Sequence, residues 1–484
     1  MNIIPLPAAI EYHAGFFKSV GVPHIAGEER FAPEMRSFRE QFAGEPVDTQ
    51  TQIFCSTDAS CAEREEYRLQ IEPERITVSA SCSDGLYHGL QTVRQLLLDG
   101  TALPCALIKD RPRFSWRGFM LDTARHFYTV PFIKKLLDSL SLHHINVFHW
   151  HLTDDQGWRL PVKAYPLLTE IGSRRLECRP VWGRYTGGFY SEEDIRSVLA
   201  FAASRHIEVV PEVDLPGHAS AILASYPGLG CTGGPYRVED RTGVFEDVLC
   251  AGTDAVFDLA AAVFDTITEL FPSKYVHIGG DEVRFNRWEA CPKCRQRLVA
   301  TGLKSARELQ SWMTVKLVEM LAQRGRTAIG WDEVLEDTEQ FRLPHELIVM
   351  SWRGSEGGEQ AARRGHKVIM APSTKGSYLD YRHTEDPEEP GQLGITRVSQ
   401  TYALDPCENM TTEAAAAVIG GQANLWSELI YAGKIAEYMI FPRICALAEA
   451  VWTERKDFTS FAERLPLHQS RLEKLHLVQY RGAL

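Results

Sequence analysis

The sequence predicts an α/β protein: a (β/α)8 barrel of the TIM type preceded by a small α/β domain. Three observations predict it. Eight short apolar runs recur after residue 116, amphipathic stretches of helical period separate most of them, and nearly every run ends in polar or aromatic residues. Alternating strand and helix patterns imply parallel strands joined by right-handed crossovers. Eight such units across the greater part of a 484-residue chain fit a closed barrel better than an open sheet.

The first domain is assigned to residues 1–110. Short β-rich runs (51–56, 66–71 and 75–79) alternate there with helical patterns. The clearest helix is 85–98, in which Leu86, Leu90, Val93 and Leu97 recur at near-helical spacing. This part holds no concentration of catalytic residue types, so its expected role is to support its neighbour. The pattern changes at Lys109-Asp110-Arg111-Pro112-Arg113, and residues 111–484 are assigned to the barrel and a helical C-terminal end. The eight expected strands are 117–122, 146–153, 208–214, 275–280, 328–331, 348–352, 367–371 and 417–422. Helices are expected at 131–143, 192–205, 254–270, 306–324 and 356–364, and the seventh crossover is irregular.

The C-terminal ends of these runs carry chemistry. They read Asp122…Arg125-His126, Asp154-Asp155, Glu212…Asp214…His218, Asp281-Glu282, Trp331-Asp332-Glu333, Trp352-Arg353, Tyr378…Asp380 and Trp426…Glu428. One charged strand end is usually a cap or a satisfied salt bridge. Eight in register on the face where barrel enzymes carry their sites favour one assembled site.

Composition narrows the ligand class. Hydrophobic residues make up 44% and charged residues 24%, as in an ordinary globular protein. The net charge of −12 excludes a nucleic-acid surface, which needs clustered Lys and Arg. Ten Trp and sixteen Tyr offer flat apolar faces on which a sugar ring stacks. No apolar run is long enough to span a bilayer. The N-terminus lacks a basic region and an unbroken apolar run; read as a first strand rather than a signal peptide, it predicts a cytoplasmic location, unless a leader was removed before this numbering. Eleven scattered cysteines fit reduced thiols. Cys291-Pro-Lys-Cys294 has CxxC spacing, but no second CxxC or CxxH follows it, so it reads as a loop rather than a zinc site. Cys231 and Cys250 flank a Gly-rich segment and are candidates for a disulfide.

The sharpest local signal is Tyr275-Val-His-Ile-Gly-Gly-Asp-Glu282, a strand that runs into two adjacent carboxylates. A glycosidase with a protein nucleophile needs its acid and nucleophile roughly 5 Å apart across the scissile bond. Neighbouring residues at a strand end diverge, so Asp281 and Glu282 are poorly placed for those two roles. They suit a shared task instead, one protonating the leaving oxygen while the other holds a substrate group that attacks.

Six motifs in order then carry a resemblance: Asp122…Arg125-His126-Phe127, His149-Trp-His-Leu-Thr-Asp-Asp-Gln156, Pro211-Glu-Val-Asp-Leu-Pro-Gly-His218, His277-Ile-Gly-Gly-Asp-Glu282, Trp331-Asp-Glu333 and Trp426-Ser-Glu428. The chain resembles glycoside hydrolase family 20, the bacterial β-N-acetylhexosaminidases, from about residue 112 to 455, and its first domain is similar to that family's accessory domain. The resemblance implies exo-hydrolysis of terminal β-linked N-acetylhexosamine (GlcNAc or GalNAc), with the substrate's own acetamido group as nucleophile and an oxazolinium intermediate. It implies Glu282 as general acid and then base, Asp281 as acceptor of the acetamido N–H, and Tyr378 as donor to the acetamido oxygen. Trp331, Trp352 and Trp426 would wall the acetamido methyl and stack under the ring. Arg125 and Glu428, with Asp380 nearby, would grip the outer hydroxyls; Asp154 and His218 would form a chain behind Glu282. The aromatic box and the neighbouring carboxylate are expected to raise the pKa of Glu282. No cofactor and no metal are expected, the partner is a carbohydrate, and a monomer and a homodimer both fit.

Three other readings compete. His149-Trp-His151 is an HxH on a strand, the pattern that opens the metal site of barrel amidohydrolases, but no later Lys or His set completes a two-metal site; interior packing is favoured. A retaining site with Asp154 or Glu428 as protein nucleophile against Glu282 stays open. A sugar-binding protein with a dead site is disfavoured by the intact Asp281-Glu282 pair.

Overall fold

The computed structural model describes residues 1–100, 102–176, 185–336 and 343–484. Its first part is a six-stranded mixed sheet, in spatial order Ala9–Lys18, Ala102–Asp110, Tyr67–Ile71, Arg75–Ala80, Val47–Thr57 and Val22–Gly27. The first four are antiparallel neighbours; the last two join in parallel. Two of these strands, Val22–Gly27 and Ala102–Asp110, were not singled out by sequence. Each contains a proline (Pro23 and Pro104), which cannot donate to a ladder and so argues against a strand. The structure accommodates Pro23 on the edge strand and Pro104 beside a register irregularity between Tyr12 and Phe16. The expected helix is present at Ser83–Asp99, its central residues buried between the sheet and the barrel.

All eight expected barrel strands form, within a few residues of their predicted ends. They are Trp116–Asp122, Val147–His151, Glu208–Glu212, Tyr275–His277, Thr327–Trp331, Ile348–Ser351, Val368–Met370 and Val418–Leu425, paired in parallel and closed by the eighth against the first. Inside the barrel lie Trp116, Val147, Val210, Ile329, Trp331, Ile348, Met350 and Ile369, while a larger core fills the space between strands and helices. The five expected helices also form, at Val130–Leu142, Glu192–Ala203, Ala255–Leu270, Ala306–Ala322 and Glu356–Arg363. The fourth strand is only three residues long because the chain turns sharply after His277: Gly279 and Gly280 have φ of +68° and +95°, conformations that glycine adopts without a Cβ penalty. A Cβ on Gly279 would sit 1.7 Å from Asp214 Oδ1, so this turn admits no side chain.

The seventh crossover is irregular, as read from sequence. It carries a short parallel pair, Tyr381–Arg382 with Gln392–Ile395, and the helix Val398–Ala403. The final helix, Phe458–Lys474, bridges barrel and sheet: buried Arg471 pairs with Asp99 at 2.5 Å, and Arg464 with Glu449 at 2.6 Å. On the other side, buried Arg117 of the first barrel strand reaches Glu65 (3.0 Å), and Trp452 donates to Asp110 (3.0 Å). Among the described residues no helix is long and apolar enough to cross a membrane.

Cysteine positions require a correction. Cys291-Pro-Lys-Cys294 is the start of a helix, not a loop: Cys291 precedes Pro292–Thr301 and Cys294 lies in its first turn. Both cysteines meet Cys231 and Cys250, which belong to the long connection after the third strand and are free thiols. The partners of this CxxC lie upstream in the chain, nineteen residues apart and without CxxC spacing of their own.

Candidate active site

A cavity of about 340 Å³ opens at the C-terminal face of the barrel, near the lower end of ordinary ligand pockets. Arg125, Asp281, Glu282, Trp331, Trp352, Tyr378, Asp380, Trp426 and Glu428 line it, together with Tyr381, Gln392 and Leu393. Nine of the eleven residues singled out from sequence therefore face one space. The other two, Asp154 and His218, stand behind it.

Each wall has a local cause. Trp331 ends the fifth strand, and its indole donates to Glu212 Oε1 at 2.9 Å. Trp352 follows the sixth strand and donates to Glu333 Oε2 at 2.7 Å. Trp426 follows the eighth strand, 5.9 Å from Trp331 between ring centroids. Tyr378 pairs with Asn424 of that strand in a single bridge, and its ring lies nearly parallel to Trp352 (15°, 6.2 Å). Burial pushes the Tyr378 hydroxyl well above its usual range, so it remains a neutral O–H donor. Buried Arg443 donates to the carbonyls of Leu379, Tyr381 and Thr396 and so fixes the loop that carries Tyr378 and Asp380.

Arg125 anchors the rim. Its guanidinium contacts Asp154 (2.9 Å), Gln156 (3.1 Å) and Asp122 (3.3 Å), lies 4.0 Å from Glu428, and sits over the Trp426 ring. Three buried carboxylate oxygens at the pocket, Asp281 Oδ1, Asp380 Oδ1 and Glu428 Oε2, have no hydrogen-bond partner among the described residues. Buried acceptors are normally satisfied, so these point to a ligand rich in O–H and N–H groups.

Behind the wall runs a chain of charges. His218 Nδ1 lies 3.1 Å from Asp154 and 3.2 Å from Asp155; its Nε2 lies 3.5 Å from Glu282 and 3.6 Å from Asp281. Burial disfavours the imidazolium, but Asp154 and the flanking carboxylates outweigh it and hold His218 protonated well above the usual histidine range. The expectation for Glu282 is corrected here. The free site holds its pKa below the usual value, because the His218 contact outweighs the burial that would raise it. The Glu282 side chain still exposes 37% of its surface, so the aromatic box has not yet desolvated it. In the free site the proton resides on His218; an occupied pocket would bury Glu282 and favour its neutral form.

Asp281 behaves oppositely: burial and then Asp214 raise its pKa well above the carboxylate range. Asp214 itself is pushed up to about 6, first by burial. Asp214 Oδ1 accepts the Gly280 N–H (3.0 Å), and the two carboxyls meet and share a proton. Asp214 was read as a strand-end residue but not as a site residue. The backbone contributes as well: Glu282 (φ +50°) and His218 (φ +47°) both adopt the left-handed conformation that non-glycine residues rarely take.

The HxH histidines lie in the interior, as favoured from sequence. His151 touches Glu212 (2.5 Å) and Asp154 (2.9 Å), and His149 Nε2 lies 2.9 Å from Glu212. Burial lowers the pKa of His149 to about 4, so it is neutral. His277 and Trp331 crowd the other oxygen of Glu212, which places that carboxylate inside a protein cage. Glu333 was read as a strand-end and motif residue without a role, and Tyr381, Gln392 and Leu393 were covered only by the loop 381–398, read from sequence as a candidate determinant of selectivity at the 4-hydroxyl. No spacing motif marks these last three.

Comparison with known proteins identifies the family. Residues 114–455 match the glycosyl hydrolase family 20 catalytic domain, and residues 1–111 match domain 2 of the same family. A β-hexosaminidase of Porphyromonas gingivalis is 40% identical over 88% of this chain, which spans only 56% of that protein. A β-hexosaminidase of Akkermansia muciniphila is 33% identical over 87% of both. Among solved structures, the exo β-N-acetylglucosaminidase of Vibrio harveyi, in complex with N-acetylglucosamine, superposes with a TM-score of 0.89 at 30% identity, over 99% of this chain and 78% of that one. Catalytic-domain and domain 2 matches together cover nearly the whole chain, which therefore belongs to glycosyl hydrolase family 20.

Proposed function

We propose that this chain removes terminal non-reducing β-linked N-acetylhexosamine from oligosaccharides or glycoconjugates by substrate-assisted, retaining hydrolysis. The observation that carries this reading is the arrangement of Asp281 and Glu282. Both approach one nitrogen of His218 from adjacent positions, rather than facing each other across a sugar. The other carboxylates of the pocket, Asp380 and Glu428, belong to the Arg125 rim, which suits hydroxyl binding better than attack at C1.

In the proposed reaction Glu282 gives its proton to the glycosidic oxygen as the acetamido oxygen attacks C1 and the aglycone leaves. Tyr378 donates to the acetamido oxygen, and Asp281, hydrogen-bonded to Asp214, accepts the acetamido N–H and balances the oxazolinium charge. Water then attacks C1, losing a proton to Glu282 and restoring the acetamido group with retention at C1. Holding the internal nucleophile in an attack geometry is what the Trp walls and Tyr378 contribute. Arg125, Asp380 and Glu428 close the pocket beyond the outer hydroxyls, which supports exo attack.

The test compares aryl β-glycosides that carry acetamido or hydroxyl at C2. The hydroxyl substrate should lose mainly kcat, because the ring contacts persist while the nucleophile is absent. A stable thiazoline mimic of the intermediate should inhibit far more tightly than the free sugar. Comparable kcat on both substrates, or a covalent sugar–carboxylate adduct in the mass spectrum, restores the protein-nucleophile mechanism.

A further inference from the structure

We propose that Cys231, Cys250, Cys291 and Cys294 bind one zinc ion, which fastens the long connection after the third barrel strand to the helix that follows the Asp281-Glu282 turn. The four sulfurs lie within 4.8 Å of one another. The separations are 3.8 Å for Cys231–Cys294, 3.6 Å for Cys250–Cys294 and 3.9 Å for Cys250–Cys291. Zinc–thiolate bonds of about 2.3 Å in a tetrahedron require sulfur–sulfur edges of about 3.8 Å. These three edges match that figure, the other three lie within 4.8 Å, and the three are far from the roughly 2.05 Å of a disulfide.

The backbone is built to hold this arrangement. Gly230 and Leu249 form an antiparallel bridge, and Cys250 N–H donates to Leu229 at 2.8 Å, so Cys231 and Cys250 are presented side by side. From the other direction the CxxC turn opens the helix Pro292–Thr301, whose N-terminal N–H groups favour thiolates. The two parts interlock: a Cβ on Gly252 would fall 2.3 Å from the Lys293 carbonyl carbon. Buried thiols often pack simply as small apolar groups. Four of them drawn from three segments, converging at tetrahedral spacing with three fully buried, favour metal over packing.

With four protein thiolates the site is closed, so the ion takes no part in the reaction and acts through position. What it would position is visible in the hydrogen bonds. The stapled connection supplies the Arg241 carbonyl to Gln156, which in turn accepts from Arg125 Nε. Leu249 N–H donates to Pro216, two residues before His218, and Trp288 donates to the Leu249 carbonyl. Loss of the ion should therefore loosen the backing of Arg125 and His218 before it disturbs the barrel.

Metal analysis of the protein purified without added metal tests the site. About one zinc per chain is expected in the parent and almost none in the Cys291→Ser/Cys294→Ser double variant. If that variant does not fold, cobalt exchange of the parent replaces it: intense visible bands of tetrahedral cobalt thiolate are expected. Chelation should lower Tm, with recovery on return of zinc. A parent that contains no metal, gives no such cobalt spectrum and melts identically with zinc and with EDTA overturns the proposal, as does a peptide map that finds Cys231 and Cys250 disulfide-linked. None of these readouts depends on which glycoside is hydrolysed.

Discussion

Tyr378→Phe isolates a single atom of the proposed machinery. Tyr378 is 6% exposed, stacks on Trp352 and meets Trp426 at a tilt of 56°, so phenylalanine fills the same slot without a cavity. What disappears is a neutral O–H that burial holds far from ionisation and that Trp426 also hydrogen-bonds. A preorganised donor aimed at charge that develops in the transition state contributes about 2.7–4 kcal/mol, a loss of about 10²–10³ in kcat. The ring surface that holds the ground state is unchanged, so KM should move by less than about threefold. The assay measures kcat and KM of parent and variant on an aryl β-N-acetylglucosaminide and on the matching β-glucoside, with melting curves as a control for folding. The loss should appear on the first substrate and be nearly absent on the second, which has no acetamido oxygen to receive the bond. An equal loss on both, or a rise in KM at constant kcat, would refute the role assigned to the hydroxyl.

Three further outcomes follow from the same geometry. Glu282→Gln should cost about 10²–10⁴ in kcat on substrates with poor leaving groups, with binding of the product sugar retained; near-parental kcat on a natural disaccharide would remove it as the acid. Asp214→Asn keeps an acceptor for Gly280 N–H and supplies a permanent donor to Asp281. Asp214 has a folded pKa raised from 3.8 to about 6, so its stabilisation is full below the lower value and lost as pH rises through the upper one; the Tm of the variant minus that of the parent should grow between those pH values, and a flat difference would contradict the shared proton. Gly279→Ala should abolish activity and lower Tm, because the added methyl collides with Asp214 and the left-handed turn disfavours alanine; soluble, fully active protein would count against the tightness of this turn.

The barrel was legible because its signals are local. Runs such as Ile348–Ser351 and Val368–Met370 are apolar, short and followed by polar ends, and these properties survive in a one-dimensional reading. The pocket residues were legible for the same reason, since strand ends bring Arg125, Asp281, Trp331 and Glu428 to one face whatever the loops do. What stayed hidden depends on distance in space. The protonation of Glu282 turns on His218, sixty-four positions away; Asp281 turns on Asp214, and the cysteines converge from segments with no common period. Pro23 and Pro104 hid strands because their local preference is overridden by an edge position and a register irregularity.

The left-handed backbone at Glu282 and His218 sets the site against the fold that carries it. Each residue forgoes roughly 1–2 kcal/mol that glycine would recover at the same position. Only glycine relieves that cost, so Glu282→Gly relaxes the turn while deleting the carboxylate, whereas His218→Gly also strips Asp154 and Asp155 of their buried partner. The same backbone that costs the fold at Glu282 is thus held in place at His218 by the carboxylates on either side of its ring.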